Sequence, residues 1–178
     1  MAVNWKAAVA VICVGACAPL EDARVTGEQA MISNPADLAA IDAVIDSVYA
    51  VISGPIGEQR DFDRMRGLFL PDARMTAYGP AGLRGGTVED YIARSGKLLA
   101  DLGFEERELA RRVEIYGNIA HAWSSYEGNF TTPDGKPDQI RGINSFQLAR
   151  VDGEWKVQSI FWQQESPEIP LPTDMDGD

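Results

Sequence analysis

The chain has 178 residues, which is the length of one ordinary domain. Its formal net charge of −11 predicts an acidic surface. Because 45% of its residues are hydrophobic, we expect the chain to fold around a core. The acidity argues against nucleic acid as a partner, and one His with two Cys gives no spacing typical of a zinc site. The sequence therefore predicts neither a bound metal nor another cofactor.

The first 17 residues have the pattern of an export signal. Lys6 precedes the apolar run 7–14, which is too short to span a bilayer but suits a secretory signal. Small residues lead into Cys17, a pattern similar to the lipobox of bacterial lipoproteins. This predicts a lipid anchor on Cys17, and cleavage after Ala16 without a lipid is the alternative.

Either outcome exports the protein to the bacterial cell envelope. The expected location is the periplasm, or the outer membrane if the chain is a lipoprotein, because Ala18 and not Asp follows the Cys. Residues 18–33 are polar and weakly patterned, so they are interpreted as a flexible tether. The folded domain is predicted at 34–166, followed by an acidic disordered tail at 167–178.

Three helices are predicted ahead of the main strands. Asn34 can cap the first helix, Pro35 fits its first position, and Thr87 can cap the third helix. Apolar residues recur at helical spacing in all three segments, and Pro71 closes the second. A short strand at 73–78 and a Gly/Pro loop at 79–86 are expected between the second and third helices. The predicted helices lie at 34–52, 62–69 and 87–102.

From Phe104 onward the apolar period changes to two, which is typical of strands. Residues 104–116 are heavily charged, and part of this segment could also be helical. A clear strand is predicted at 119–130, followed by a hairpin at 139–164. Asp152-Gly153 favours a tight turn in which both residues take positive φ, pairing Val151 with Glu154.

The hairpin register divides its side chains between two faces of the sheet. The face predicted to be apolar carries Asn144, Phe146, Leu148, Trp155, Val157, Ser159 and Phe161. The mixed face carries Arg141, Ile143, Ser145, Gln147, Lys156, Gln158, Ile160 and Trp162. One apolar face needs a cover, so we predict an α+β fold in which three helices pack on one face of a cone-shaped, curved sheet that is antiparallel or mixed.

Three segments resemble the nuclear transport factor 2-like superfamily, which includes ketosteroid isomerases, scytalone dehydratase and SnoaL-like proteins. They are DFDRMRGLFLPDARM at 61–75, GNIAHAWSSYE at 117–127 and RGINSFQLARVDGEWKVQSIFW at 141–162. The resemblance implies a cone of sheet and helix around one deep pocket. Because this fold hosts unrelated chemistries and non-catalytic members, it does not by itself imply one function.

Compared with ketosteroid isomerases, the resemblance places Tyr49 and Asn144 at the two oxyanion-stabilising positions. An amide N–H would replace the protonated aspartate of that family as a hydrogen-bond donor. Ala77 stands where the family has its catalytic aspartate, so the steroid isomerase mechanism does not carry over.

His121, the single histidine, is the alternative candidate for a general acid or base. The family's pattern points His121 into the cone, with Ile119, Trp123, Ser125 and Glu127. The opposite phase would instead send in Ala120, Ala122, Ser124 and Tyr126. The predicted site therefore has His121, Tyr49 and Asn144 as catalytic groups and a pocket wall of Trp123, Ser125, Phe146, Phe161 and Tyr78.

Each polar candidate also has a structural explanation. His121 could be a hydrogen-bonded core residue, Asn144 could satisfy a buried backbone group, and Tyr49 could be ordinary packing. The arginines and glutamates of the charged strand are expected to pair with one another on a solvated surface. They are Arg107, Arg111, Arg112, Glu105, Glu106, Glu108 and Glu114.

The predicted function is that of an exported pocket protein for a small apolar molecule. It is either a cofactor-independent isomerase or dehydratase acting on a carbonyl or hydroxyl compound, or a non-catalytic ligand-binding or accessory envelope lipoprotein. The resemblance also implies a homodimer formed through the outer sheet face, with Trp162, Ile143 and Ile160 as contacts.

Overall fold

Helix caps fix the beginnings of the helices in the computed structural model, which describes residues 34–177. Asn34 accepts a hydrogen bond from the Ala36 N–H, and Thr87 forms a capping box with Asp90. The predicted helices are present with nearly the predicted bounds. They are α1 (Pro35–Ile52), α2 (Phe62–Leu68) and α3 (Val88–Leu102).

Six strands form one open, mixed sheet within residues 34–177. They are β1 (Phe69–Gly79), β2 (Gly82–Thr87), β3 (Glu105–Tyr116), β4 (Ile119–Thr131), β5 (Pro137–Val151) and β6 (Glu154–Gln164). Their order in the sheet is β2-β1-β6-β5-β4-β3, with β1 and β6 parallel and every other pair antiparallel. Since α1 packs on β3 and β6 and α3 packs on β1 and β2, the predicted α+β class is confirmed.

Two predictions on the first strands are wrong. Residues 82–86, expected in a loop, belong to β2 and pair with β1, where Gly85 lies opposite Thr76. A Cβ at Gly85 would lie 2.3 Å from Thr76 Oγ1, so a glycine is needed for this close approach. Pro71 lies inside β1 and does not follow the second helix, which ends at Leu68.

The β5–β6 turn has the predicted conformation. Asp152 has φ 53° and Gly153 has φ 85°, the left-handed values that a type I′ turn requires. Val151 pairs with Glu154, as the turn register predicts.

A β-bulge then changes the faces of β6. Leu148 pairs with Val157 but Gln147 pairs with Ser159, so Gln158 is an extra residue in β6. Beyond the bulge the alternation is inverted relative to the sequence prediction. Ile160 and Trp162 turn inward, and Phe161 turns outward with 46% of its surface exposed.

Strand β4 has the phase opposite to the one preferred from the sequence. Ala122 pairs with Phe146 and Ser124 pairs with Asn144, and directly paired residues share a face. The inward set is therefore Ala120, Ala122, Ser124 and Tyr126, all buried. Small side chains at three of these four positions let α1 pack closely on the sheet, which Trp123 in their place would prevent.

The C-terminal segment is a further correction. Residues 167–177, predicted as a disordered tail, pack on the outer face and include the 3-10 helix Thr173–Met175. Met175 is fully buried, and two arginines pair with the neighbouring acids, Arg112 with Asp174 at 3.2 Å and Arg141 with Asp176. The acidic residues therefore act as ion-pair partners.

The predicted signal, the Cys17 lipidation site and the tether at 18–33 lie outside the described residues. Among residues 34–177, no helix combines the length and apolarity needed to cross a membrane.

Candidate functional site

A cavity of about 340 Å³ lies between α1, α3 and the inner face of the sheet. Its wall is mainly aromatic and aliphatic, with polar groups concentrated at one end. The apolar lining includes Val48, Ile52, Met75, Leu98, Leu99, Leu102, Phe104, Phe130, Ile140, Phe146, Ile160 and Trp162. The polar lining consists of Tyr49, Tyr91, Ser95, Glu106, Tyr126, Asn144 and Gln164.

Two of the three predicted catalytic residues meet at the polar end. The Asn144 amide nitrogen donates to Tyr49 Oη at 3.1 Å and to Glu106 Oε1 at 3.3 Å. Tyr49 Oη also lies 2.6 Å from Ser124 Oγ. The sequence therefore located Tyr49 and Asn144 correctly as neighbours in the cone.

Glu106 is the site residue that the sequence interpretation missed. It was assigned to ion pairs on a solvated strand, but it projects into the cavity from β3, opposite Gly128 of β4. The available signal was the period-two alternation, which puts Glu106 on the same face as the apolar Phe104. The arginines nearby in sequence obscured that signal, because they suggested a surface.

Burial raises the pKa of Glu106 to about 7, and the hydrogen bond from Asn144 offsets this only in part. No Lys, Arg or His is among the residues that line the cavity within the described chain, so no positive side chain stabilises the carboxylate. A carboxyl group whose pKa lies near neutral pH can both donate and accept a proton, which suits a general acid or base.

Three tyrosines from three elements surround the Glu106 carboxyl group. They are Tyr49 of α1, Tyr91 of α3 and Tyr126 of β4. Burial raises the pKa of each phenol well above its ordinary range, and the negative charge of Glu106 raises these pKa values further. The tyrosines therefore stay protonated near neutral pH.

A second polar group continues from Ser124 towards the protein surface. Ser124 Oγ donates to Glu108 Oε1, and Arg111 pairs with Glu108 through two hydrogen bonds of 2.7 Å and 2.6 Å. Arg111 also contacts Asp42 and Asp46 of α1. This group lies behind the cavity wall and fixes the position of Ser124.

His121 does not belong to the cavity. It lies on the outer face of β4, where Nε2 is 3.2 Å from Ser145 Oγ. Its predicted place in the cone is wrong because the phase of β4 is inverted. Four predicted wall residues also lie elsewhere: Trp123 and Phe161 on the outer face, Ser125 beside the Ala110 backbone and Tyr78 at the exposed end of β1. Phe146 does line the cavity, as predicted.

A second cavity, of about 410 Å³, lies on the outer face beneath the C-terminal segment. Its lining includes Trp123, Ile143, Ser145, Phe161 and Leu171. Its one carboxyl group is that of Glu165, which pairs with Arg141 at 3.7 Å. The inner cavity is therefore the better candidate for chemistry, because its carboxyl group has no cationic partner.

Within residues 34–177, no three His, Cys, Asp or Glu side chains are arranged to hold a metal ion. The chemistry that the described cavity residues can themselves supply is hydrogen bonding and proton transfer, centred on Glu106.

Comparisons with solved structures show the fold. The chain is similar to a nuclear transport factor 2-like superfamily protein from Salmonella enterica serovar Typhimurium, with a TM-score of 0.56 and 20% identity over 75% of this chain and 90% of that one. It is also similar to a "putative aromatic ring hydroxylase" from Novosphingobium aromaticivorans, with a TM-score of 0.61 and 18% identity over 76% of this chain and 93% of that one.

The association domain of Caenorhabditis elegans CaMKII is a third structural neighbour. Its TM-score is 0.51, with 18% identity over 71% of this chain and 95% of that domain. No protein-family model and no curated protein matches the sequence. The chain thus has the nuclear transport factor 2-like fold, as the resemblance in sequence implies, and this fold surrounds a pocket suited to a ligand.

Proposed function

We propose that this protein binds a small, largely apolar carbonyl or hydroxyl compound in the inner cavity and that Glu106 exchanges a proton with it. The corresponding reaction class is a cofactor-independent isomerisation or dehydration. The observation that carries the proposal is a single carboxyl group with a pKa of about 7 at the polar end of an apolar cavity.

The size and lining of the cavity support a small ligand. About 340 Å³ is near the lower end of the range for small-molecule sites, which are typically apolar with a few placed polar groups. The ligand body would contact Phe104, Phe146 and Trp162, and its oxygen would lie near Glu106. Apolar contacts would supply most of the affinity, and the polar end would set the orientation.

Proton transfer by Glu106 accounts for both reaction classes. As a carboxylate, Glu106 can remove a proton from the carbon next to a carbonyl group. As a carboxylic acid, it can return that proton to another carbon or give it to a leaving hydroxyl group. Such catalysis contributes typically 10²- to 10⁴-fold to a rate.

Hydrogen–deuterium exchange of 2-tetralone tests this proposal, because the ketone is small and apolar and has acidic protons beside its carbonyl group. We expect the protein to accelerate exchange in deuterated buffer, followed by NMR. Glu106→Gln should lower the accelerated rate by roughly 10²-fold or more, because an amide cannot act as the base. His121→Ala is the matched control and should keep the rate.

The outcomes separate the candidate functions. Undiminished exchange in Glu106→Gln would show that Glu106 is not the base. Binding of 2-tetralone without accelerated exchange, measured by quenching of tryptophan fluorescence, would favour the non-catalytic ligand-binding protein. The apolar lining suits a non-catalytic binding protein as well as an enzyme, since binding alone needs no titrating group.

Export to the cell envelope and lipid attachment at Cys17 are proposed from the first 17 residues alone. Fractionation of cells that express the protein tests both. Cys17→Ser should move it from the membrane fraction to the soluble envelope fraction, and unchanged membrane association would contradict lipidation.

A homodimer through the outer sheet face is also proposed. Its support is the apolar side chain of Phe161, 46% exposed beside Trp123. With the bulge in β6, the proposed contacts shift from Trp162 and Ile160 to Phe161. Sedimentation equilibrium should show a dimer that Phe161→Lys weakens, and a monomeric wild-type protein would remove this proposal.

A further inference from the structure

A chain of hydrogen bonds leads from the protein surface to the cavity, and its direction is set at the surface end. Arg111 donates to both oxygens of Glu108, through Nε at 2.7 Å and Nη2 at 2.6 Å. Arg111 also pairs with Asp42 at 2.5 Å and Asp46 at 2.7 Å. Glu108 thus faces a guanidinium group as an ionised carboxylate, and an ionised carboxylate can only accept hydrogen bonds.

The acceptor role of Glu108 determines the roles of the next two hydroxyl groups. Ser124 Oγ is bonded to Glu108, so Ser124 must use its one proton for that bond. The contact of 2.6 Å between Ser124 Oγ and Tyr49 Oη then needs its proton from Tyr49. Since Tyr49 also has one proton, its hydroxyl group has none left to donate.

The two amide protons of Asn144, at the cavity end of the chain, are also used in hydrogen bonds within the protein. With the Tyr49 proton directed at Ser124, Tyr49 Oη accepts from Asn144 Nδ2 at 3.1 Å. Asn144 Nδ2 also donates to Glu106 Oε1 at 3.3 Å, so both amide protons are used within the protein. Neither Tyr49 nor Asn144 then has a free donor for a ligand oxygen.

We infer that Glu108 is a positioning residue: through Ser124 it turns the Tyr49 proton away from the cavity, so that a ligand oxygen at the Asn144 end of the cavity takes its proton from Glu106 and not from Tyr49. The class of ligand in this inference rests on the proposed function, whereas the direction of the Tyr49 proton rests on the hydrogen-bond chain. The family resemblance implies that Tyr49 donates a hydrogen bond to the ligand, whereas in this arrangement Tyr49 accepts one from Asn144.

A pH dependence follows from this arrangement. The groups that face Glu106 are Tyr49 of α1, Tyr91 of α3, Tyr126 of β4 and Asn144 of β5, and none of them is a cation. A ligand that can only accept a hydrogen bond should bind well while Glu106 is protonated. Its affinity should fall as the pH rises through neutrality, because Glu106 loses the proton that it donates to the ligand oxygen.

Neutron diffraction tests the direction of the chain without any ligand. In perdeuterated crystals grown at about pH 8, the deuteron of Tyr49 should point to Ser124, and that of Ser124 should point to Glu108. A Tyr49 deuteron directed into the cavity would overturn the inference and would leave the proposed function standing.

Ligand titrations test the same point in solution, with 2-acetylnaphthalene as an acceptor-only probe and 2-naphthol as a probe that can also donate. Between about pH 6 and pH 8 the affinity for the ketone should fall roughly tenfold, the usual effect of one lost hydrogen bond to a buried acceptor, while naphthol should lose less. Equal affinity for the ketone at both pH values would overturn the inference. Failure of both probes to bind at either pH would instead count against the proposed function, and the neutron result would still decide the inference.

Glu108→Gln should reduce this pH dependence, since the new amide can donate to Ser124 and release the Tyr49 proton towards the cavity. Ser124→Ala removes the acceptor of that proton by a second route and serves if loss of the Arg111 pair prevents folding. Glu105→Gln is the matched control, because it removes the same charge from an exposed position of β3. An unchanged pH dependence in both folded variants would contradict the positioning role.

Discussion

Each side of the sheet has one candidate for acid–base chemistry near aromatic residues, His121 on the outer side and Glu106 on the inner side, yet the two groups have different surroundings. On the outer side, His121 contacts Ser145 and lies near Trp123, with ring centroids 6.1 Å apart. On the inner side, Glu106 lies in a cavity closed by two helices, and burial raises its pKa to about 7. A residue type that titrates near neutral pH is therefore a weaker guide to a site than an enclosed environment that shifts an ordinary group.

The largest expected difference between the two sides is in packing. Phe146 is fully buried on the inner side, whereas Phe161 is 46% exposed on the outer side. Phe146→Ala should lower the free energy of unfolding by about 3–5 kcal/mol, because it leaves a cavity in the core. Phe161→Ala should cost about 1 kcal/mol or less. Urea denaturation at low protein concentration measures both, and equal losses would break the distinction.

The next largest expected effect is a pH-dependent decrease in the free energy of unfolding, caused by Glu106. Its pKa is about 7 in the folded protein and about 4.5 when unfolded, so the folded state binds more protons between these values. Stability should fall as the pH rises from about 4.5 to 7 and then level off, by roughly 3 kcal/mol in total.

Glu106→Gln should remove that slope and make the protein more stable than wild type at about pH 8, as measured by urea denaturation across the pH range. Glu114→Gln, at an exposed position of β3, is the control and should leave the slope in place. A slope that persists in Glu106→Gln would assign the titration to another group.

The smallest effect is expected for His121, despite its chemical suitability. His121→Ala removes one contact of 3.2 Å to Ser145 on the outer face, so stability should change by about 0.5–1 kcal/mol. The pH dependence of ligand binding should stay that of wild type. A shifted pH profile in this variant would mean that the outer face influences the cavity.

The helices and the hairpin turn were predictable because their signals are local. Asn34 and Thr87 cap helices through neighbouring backbone groups, and Asp152-Gly153 fixes a turn by its own φ angles. Tyr49 and Asn144 were also placed together correctly, through the resemblance of the chain to a known fold.

The facing of individual strand residues was not predictable, because it depends on pairing with distant segments. Extra residues at Gln158 and Leu109 invert the alternation in β6 and β3, and nothing in the local pattern marks them. The phase of β4 follows from its partner β5, and the small residues Ala122 and Ser124 suit the close approach of α1. The same uncertainty made His121 the preferred candidate, whereas Glu106 was missed because the arginines near it in sequence suggested a surface.

The bulge at Gln158 protects the pocket wall from a change in the length of β6. Because Leu148 pairs with Val157 and Gln147 pairs with Ser159, Gln158 stands outside the alternation of the strand. Deletion of that one residue would restore simple alternation and would leave Ile160 and Trp162 facing the cavity and Phe161 facing outward. Among descendants of such a chain, one codon could be gained or lost at this place while the ligand preference was inherited unchanged.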